Sequence, residues 1–509
     1  MASHAAEPDA DAEPVDVLVV GSGNAGFSAA LTAHEAGASV AMIDRASAAW
    51  AGGNSAFTAG AYRTSYDGLD DLRPYIGLSD DEAARTDLPP YPAPAFLADV
   101  QRVTQGRADP ALARIVTDES ADGFAWLAGH GVAWELMAAR QSFEVNGRRR
   151  YWGNLVVGVR GGGRGLVAAE LAALERAGVP IAFETDFDEL AFGDGRIAGA
   201  RVVSGGMRRL IAARTVVLAS GGFEADAARR AAFLGAGWDL AKVRGTPHNT
   251  GGPLFAAIAA GAAPRGHWSG CHAISWDAAA PPTGDPVLTN RFSRQGYPYG
   301  LMVNRDGRRF VDEGADFRNY TYARYGAEVL RQPGSIAYQL FDADSIRYVN
   351  PVDYDTAGPS RAEAGTVAAL AAAIDVDRPV FEATIEAYNG SIGPQSFDPT
   401  IKDGKRTHGL VPDKTNWALP LARPPFTSFA VTCGITFTFG GLHIDLNGSV
   451  LAPGGQPIGG LFAAGEIVGG IFYHNYPGGS GLTAGTVLGR RAGREAAAVA
   501  RAQRVVRRS

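Results

Sequence analysis

The chain has 509 residues, room for two or more domains at about 100–200 residues each, and its 46% hydrophobic and 20% charged content is that of a globular protein. The net charge is −6 and no basic stripe is interleaved with aromatic residues, which argues against a nucleic-acid partner. Two cysteines, Cys271 and Cys433, make neither a disulfide framework nor a Cys-x-x-Cys motif, and no apolar run reaches the roughly 18–20 residues a membrane span needs, so a cytoplasmic setting is expected.

Residues 1–14 carry neither a basic nor an apolar signal segment and read as a disordered leader. Residues 16–20 read as a buried strand, 25–35 as a helix stopped by Gly37, and 39–43 as the next strand, a βαβ unit with a parallel sheet. Residues 110–129 and 165–177 read as helices and 181–184 as a strand. Residues 196–204 and 209–219 read as strands about a Gly205-Gly206 turn. From about 266 to 426, aromatics, proline and arginine become frequent and the alternation fades. Strands are expected again at 441–446 and 460–464, around a turn at Asn447-Gly448. A helix over 482–501 follows, and then an arginine-bearing tail that reads as solvated. The expected organisation is an α/β chain whose residues 15–265 and 432–509 form one nucleotide-binding domain, with 266–431 inserted as a second domain.

Gly21, Gly23 and Gly26 form G-x-G-x-x-G between the first strand and its helix, with Asn24 and Ala25 opening that helix. The first glycine allows the turn, the second lets backbone approach a pyrophosphate, and the third lets helix and strand pack closely. Asp44, followed by Arg45, ends the second strand where a carboxylate binds a ribose hydroxyl. A second glycine-rich loop then presents Gly52, Gly53, Asn54, Ser55, Thr58 and Gly60, which is superfluous for NAD and suits a longer cofactor. Leu218-Ala219-Ser220-Gly221-Gly222 is another place where backbone can approach a cofactor. The C-terminal part carries Gly-Leu-Phe-Ala-Ala-Gly-Glu, ending at Gly465-Glu466, and Tyr-Pro-Gly-Gly-Ser-Gly-Leu-Thr from Tyr476.

These segments resemble the flavoprotein superfamily of succinate dehydrogenase, fumarate reductase and 3-ketosteroid dehydrogenase. Gly-Gly-Gly-Arg-Gly-Leu-Val from Gly161 and Val-Asn-Arg-Asp-Gly-Arg-Arg-Phe-Val-Asp-Glu from Val303 extend the likeness over nearly the whole chain. Within the superfamily the chain most resembles FAD-dependent tricarballylate dehydrogenases. The strings that carry this are Val-Arg-Gly-Thr-Pro-His-Asn-Thr-Gly from Val243, Asp-Glu-Gly-Ala-Asp-Phe-Arg-Asn-Tyr-Thr-Tyr-Ala from Asp312, and Phe-Tyr-His-Asn-Tyr-Pro-Gly-Gly-Ser-Gly-Leu from Phe472. The resemblance implies a Rossmann-type, glutathione-reductase-like FAD-binding domain with an α+β capping domain. It implies that Glu466 holds the FAD ribityl region. It also implies that Ser480, Gly481, Leu482 and Thr483, at a helix N-terminus, face the flavin pyrimidine, where a helix dipole stabilises the charge of reduced flavin. Succinate dehydrogenases attach FAD through a His-Thr pair. The matching pair here is Phe57-Thr58, so non-covalent FAD is expected.

The chemistry so implied is hydride transfer between flavin N5 and a carbon β to a carbonyl or carboxylate, while a protein group moves the α proton. Arg318 stands nearly where fumarate reductases carry their acid–base arginine, with Asp312, Glu313 and Asp316 as candidate relays. A guanidinium rarely loses its proton, so Arg318 alternatively clamps a substrate carboxylate or a structural acid. Tyr320 and Tyr322 are rival bases. His272 resembles the cap histidine that binds a substrate carboxylate. Two segments depart from the fumarate reductases: Thr436-Phe437-Thr438-Phe439 replaces His-His-Thr-x, and Asn475-Tyr476-Pro477 replaces Asn-Arg-Leu. Fumarate is therefore not the expected substrate, and Tyr476 resembles the ketosteroid dehydrogenase tyrosine that hydrogen-bonds a carbonyl oxygen. Arg291 and Arg294 are candidate carboxylate holders, and His267 and His272 lack the company a metal site needs. The expected substrate is a small carboxylate, with tricarballylate to cis-aconitate as the lead. A larger ketone against Phe437, Phe439, Phe472 and Tyr473 is the alternative, and an electron-transfer subunit without its own turnover the third. No second G-x-G-x-x-G offers an NAD(P)H site, which leaves oxygen, a quinone or a redox partner as electron acceptor.

Overall fold

The computed structural model describes residues 14–355 and 360–508; all of the expected leader but Pro14 lies outside the described residues. The elements that position the site are, from the N-terminus, β1 (Val15–Val20), α1 (Asn24–Glu35), β2 (Val40–Ile43), α2 (Gly162–Ala177), β3 (Ile181–Ala182), β4 (Thr185–Gly193), β5 (Arg196–Ser204) and β6 (Met207–Leu218). They continue with β7 (Pro264–Asp277), β8 (Leu301–Asn304), α3 (Tyr322–Leu330), β9 (Ala337–Phe341), β10 (Arg361–Ala364), β11 (Phe426–Leu442), β12 (Ser449–Leu451), β13 (Pro457–Ala463) and α4 (Ser480–Arg508).

β13, β6, β1, β2 and β3 form a parallel sheet in that order. Val17, Leu18 and Val19 are wholly buried, as expected of a strand covered on both faces. The sheet joins the two ends of the chain, because β13 pairs with β6 and α4 packs along α1. The helix contact depends on glycine: a Cβ at Gly489 would lie 2.5 Å from the Ala25 carbonyl oxygen, and one at Gly493 would lie 2.1 Å from that of Ala29. The N-terminal half of β6 turns into an antiparallel sheet with β5 and β4.

The second sheet is built around β11, which pairs antiparallel with β7, β9 and β10, while β8 extends it beside β9. The expected domain junctions, 265/266 and 431/432, fall inside β7 and β11, which pair continuously from Pro264↔Leu442 to Asp277↔Val431 apart from two register shifts.

Three predicted elements differ. The helix expected over 110–129 is two helices, Pro110–Asp118 and Ser120–Gly129, broken where Glu119 leaves helical geometry. The strand expected over 441–446 ends at Leu442, because the Asp445 carboxylate captures the Asn447 and Ser449 N–H groups at 2.9 and 2.8 Å and bends the chain. The tail expected to be solvated continues α4, where Arg504 pairs with the fully buried Asp16 and Arg501 donates to the Ala36 carbonyl.

Candidate active site

One large cleft runs from the carboxyl ends of β1, β2 and β6 to the cap sheet. At its outer end it is lined by residues 21–25, 44–46, 53–55, 219–221, 465–466 and 481–482, and by Thr58. The first turns of both α1 and α4 therefore face it. Gly26, Gly52, Gly60, Ser480 and Thr483 do not line it and instead support it from behind. A Cβ at Gly26 would sit 2.0 Å from the Gly21 oxygen, at Gly52 2.3 Å from Val167, and at Gly60 2.8 Å from the Gly162 backbone. Ser480 Oγ donates to Pro477 O at 2.5 Å and Thr483 Oγ1 to Arg63 O at 2.6 Å, which fixes the loop before α4.

This end fits FAD on its own geometry. Gly21 has φ +107°, and a Cβ there would come within 2.5 Å of Ala219 O, so only glycine leaves the phosphate turn open. Asp44 is braced by Ser22 N at 2.8 Å, Ser22 Oγ at 2.7 Å and Ala46 N at 2.8 Å, with carboxylate acceptor capacity left for a ribose. Ser220 Oγ is buried without a partner, an unsatisfied group that a cofactor would complete. Glu466 accepts from Thr438 N at 2.9 Å, and burial together with the neighbouring Glu224 carboxyl pushes its pKa well above the usual range. Phe57 is buried against Trp50 and does not line the cleft.

At the inner end, Arg318 begins the turn Arg318–Tyr320 that leads into α3. Arg318 and Tyr322 both line the cleft, whereas Tyr320, between them, does not. Tyr320 is thus turned away from the position expected of a base. Its hydroxyl donates to Asp99 at 2.6 Å and accepts from Arg63 at 3.2 Å, and burial raises its pKa to about 12. Arg318 is 8% exposed, donates to Gln295 Oε1 at 3.0 Å and to the Arg140 carbonyl, and lies over the Trp152 ring. None of the expected relay carboxylates reaches it: Asp312 holds Thr415, Glu313 pairs with Arg309, and Asp316 pairs with Arg102. Burial and the Arg140 charge lower the Arg318 pKa.

His272 is 1% exposed, stacks on Phe437, and meets the edges of Tyr322 and Tyr476, each at 4.9 Å between ring centres. Neither ring nitrogen has a partner, and burial together with the Arg244 charge holds its pKa well below normal, so a neutral imidazole faces the cleft. Tyr476 accepts the Gly479 N–H at 3.1 Å, and its hydroxyl lies 2.7 Å from that of Tyr322. Burial raises the Tyr322 phenol far above 10, so it is a neutral hydrogen-bonding group. Phe437, Phe439 and Phe472 line the cleft and Tyr473 does not; Tyr473 stacks on His267.

The structure adds residues that were not among the candidate site residues of the sequence. Arg140, Gln141, Arg244, Asn290, Gln295 and Asn319 all line the inner end. Arg140 is paired with Asp353 through two hydrogen bonds of 2.6 Å. Of the arginines expected to hold carboxylates, Arg294 is buried in an ion pair with Asp277 at 2.7 Å and Arg291 is exposed; neither lines the cleft. Among the described residues no group of three His, Cys, Asp or Glu could hold a metal, and no helix is long and apolar enough to cross a membrane.

A family model described as FAD binding domain matches residues 16–482. The chain is 28% identical over 489 residues to the probable fumarate reductase Ifc3 of Shewanella frigidimarina, covering 95% of this chain and 75% of that protein. It is 29% identical over 371 residues to a 3-oxosteroid 1-dehydrogenase of Mycobacterium tuberculosis, covering 66% of this chain and 63% of that protein. Among solved structures it is similar to the open conformation of a flavocytochrome c3 fumarate reductase, with TM-score 0.71 and 26% identity over 97% of this chain and 79% of that one.

Proposed function

This chain belongs to the FAD binding domain family and is an FAD-dependent oxidoreductase acting on CH–CH groups; from that premise we propose that it forms or reduces a C=C bond adjacent to a carboxylate, as tricarballylate dehydrogenases do. The observation that carries this is Arg318, a buried guanidinium that lines the cleft and hydrogen-bonds only neutral acceptors, the nearby Asp353 carboxylate being bonded to Arg140. A buried cation without a carboxylate is costly, and a substrate carboxylate supplies the missing charge.

Residues 21–25, Asp44, Ser220, Glu466 and the first turn of α4 hold FAD, without a covalent bond because Phe57 has no nucleophile to offer. Bound FAD supplies a hydride acceptor or donor at N5. Arg318 takes the proton from the carbon α to the carboxylate in the oxidising direction and returns it in the reducing one, so a hydride and a proton together account for the two hydrogens. Burial helps by lowering the guanidinium pKa. The neutral His272 and the Tyr476 hydroxyl donate hydrogen bonds to substrate oxygen, where charge develops as the α proton leaves. Phe437, Phe439 and Phe472 keep water from that end. In the oxidising direction the electrons would leave to oxygen, a quinone or a redox partner, and in the reducing direction a redox partner would supply them.

The Tyr322–Tyr476 pair beside three phenylalanines supports a second reading, a desaturase or ene-reductase of a larger ketone, and a 3-oxosteroid dehydrogenase is among the relatives. Anaerobic titration of the flavin's visible absorbance separates the two. Bleaching by tricarballylate, or return of the absorbance of dithionite-reduced flavin on adding cis-aconitate, supports the carboxylate reading, and the same responses to saturated or unsaturated cyclic ketones alone support the second. No response in either direction to either class overturns both.

A further inference from the structure

Arg244 is a second buried cation in the same cleft. It follows the short strand Lys242–Val243, which pairs parallel with β11, and its backbone N–H bonds Ile435 O at 2.7 Å. Its guanidinium is 7% exposed and lies over the Trp276 ring, and burial lowers its pKa. Nε bonds Asn290 Oδ1 at 3.0 Å, Nη2 bonds the same oxygen, and Nη1 bonds Thr436 Oγ1 at 2.9 Å.

All three contacts are neutral, and no carboxylate among the described residues pairs with it. Three of the five guanidinium N–H groups are thereby used. The two that remain, one on Nη1 and one on Nη2, are left to donate to a carboxylate. The surroundings do not neutralise it. Arg140 spends its charge on Asp353, His272 is neutral, and Arg318 has no acid of its own. The inner cleft therefore holds two guanidinium charges more than its carboxylates balance.

Resting on the carboxylate reading above, we infer that Arg244, braced by Asn290 and Thr436, is the receptor for a second carboxylate of the substrate. The substrate then carries at least two carboxylates, one toward Arg318 and His272 and one toward Arg244. Thr436-Phe437 and Tyr476 stand where the fumarate-type histidine pair and arginine are missing, and Arg244 restores a positive charge to the cleft from a different segment of the chain.

The test is binding to the FAD-loaded protein, read by the flavin difference spectrum and by calorimetry, with tricarballylate and the monocarboxylate butyrate as probes. Arg244→Gln is expected to weaken tricarballylate at least 100-fold and to leave butyrate within threefold. Asn290→Asp, which gives Arg244 an internal carboxylate, is expected to weaken tricarballylate at least tenfold with the fold and flavin content intact. If wild-type protein binds tricarballylate and both variants bind it equally well, the Arg244 assignment falls while the carboxylate reading stands. If wild-type protein binds neither acid, the carboxylate reading falls and takes this inference with it.

Discussion

The Tyr476 hydroxyl lies 2.7 Å from the Tyr322 hydroxyl, and both rings stand edge-on to the neutral ring of His272. Because Tyr476 already accepts the Gly479 N–H, its own proton is directed either to Tyr322 or to a substrate oxygen. Tyr476→Phe removes that donor. Loss of one donor to developing negative charge is expected to lower kcat/KM by about 10²–10³-fold. Tyr322→Phe, which loses only the partner hydroxyl, is expected to cost about tenfold or less. Steady-state kinetics with equal flavin loading checks both, and a Tyr476→Phe enzyme within threefold of wild type would sink the assignment.

Arg318 separates a proton-transfer role from simple substrate clamping. Arg318→Lys keeps a cation, whereas Arg318→Gln keeps only hydrogen bonds. If Arg318 moves the α proton, Arg318→Lys lowers kcat by about 10²–10⁴-fold with KM changed little, and Arg318→Gln lowers kcat as much and also raises KM, because the charge facing the substrate carboxylate is lost. If it only clamps, Arg318→Lys mainly raises KM. Because oxidation needs the deprotonated guanidine, whose pKa burial has lowered, the wild-type oxidation rate is expected to climb with pH across the accessible range. A histidine limb near neutrality is not expected, since His272 stays uncharged.

The outer cleft was legible in the sequence because its requirements are local. A phosphate turn needs glycine at Gly21 within a few residues of a strand and a helix, and Asp44 ends the very next strand. The inner cleft was only partly legible because it is assembled across the fold. Arg244 sat in a string singled out for its resemblance, yet its burial comes from pairing with β11 at Ile435, nearly two hundred residues away. Asn290, Arg140 and Gln295 come from irregular segments or very short helices that carry no periodic signal. The choice among Arg318, Tyr320 and Tyr322 turned on the irregular turn before α3: Arg318 and Tyr322 enter the cleft, and Tyr320 joins Asp99 and Arg63.

Gly222 tests the ribityl end of the cleft. A Cβ there would lie 2.2 Å from both Glu466 Oε1 and Thr438 Oγ1 and 2.9 Å from Glu224 Oε2, so alanine must displace the Glu466 carboxyl. Gly222→Ala is expected to purify with less than half the wild-type flavin and to bind added FAD at least tenfold more weakly. Flavin-to-protein absorbance ratios check this, and a fully loaded variant would show that Glu466 does not hold the cofactor. In the wild-type protein, acid precipitation is expected to leave the flavin in the supernatant.

Glu170 offers a pH-dependent stability test away from the chemistry. It lies on α2, is 1% exposed, and neither carboxyl oxygen has a hydrogen-bond partner. Burial alone raises its pKa well above the usual range, so the folded chain holds this proton to a higher pH than the unfolded chain does. The unfolded glutamate ionises near pH 4.3. Above that point the unfolded state binds fewer protons than the folded one, and stability falls with rising pH by about 1.4 kcal/mol per pH unit until the folded group also ionises. Glu170→Gln removes this dependence. Its melting temperature is therefore expected to exceed the wild-type value by a margin that opens as pH rises above about 4.3 and closes below it. Thermal melts of the two FAD-loaded proteins on both sides of that pH check it, and a margin that stays constant with pH would mean that Glu170 is already ionised in the fold.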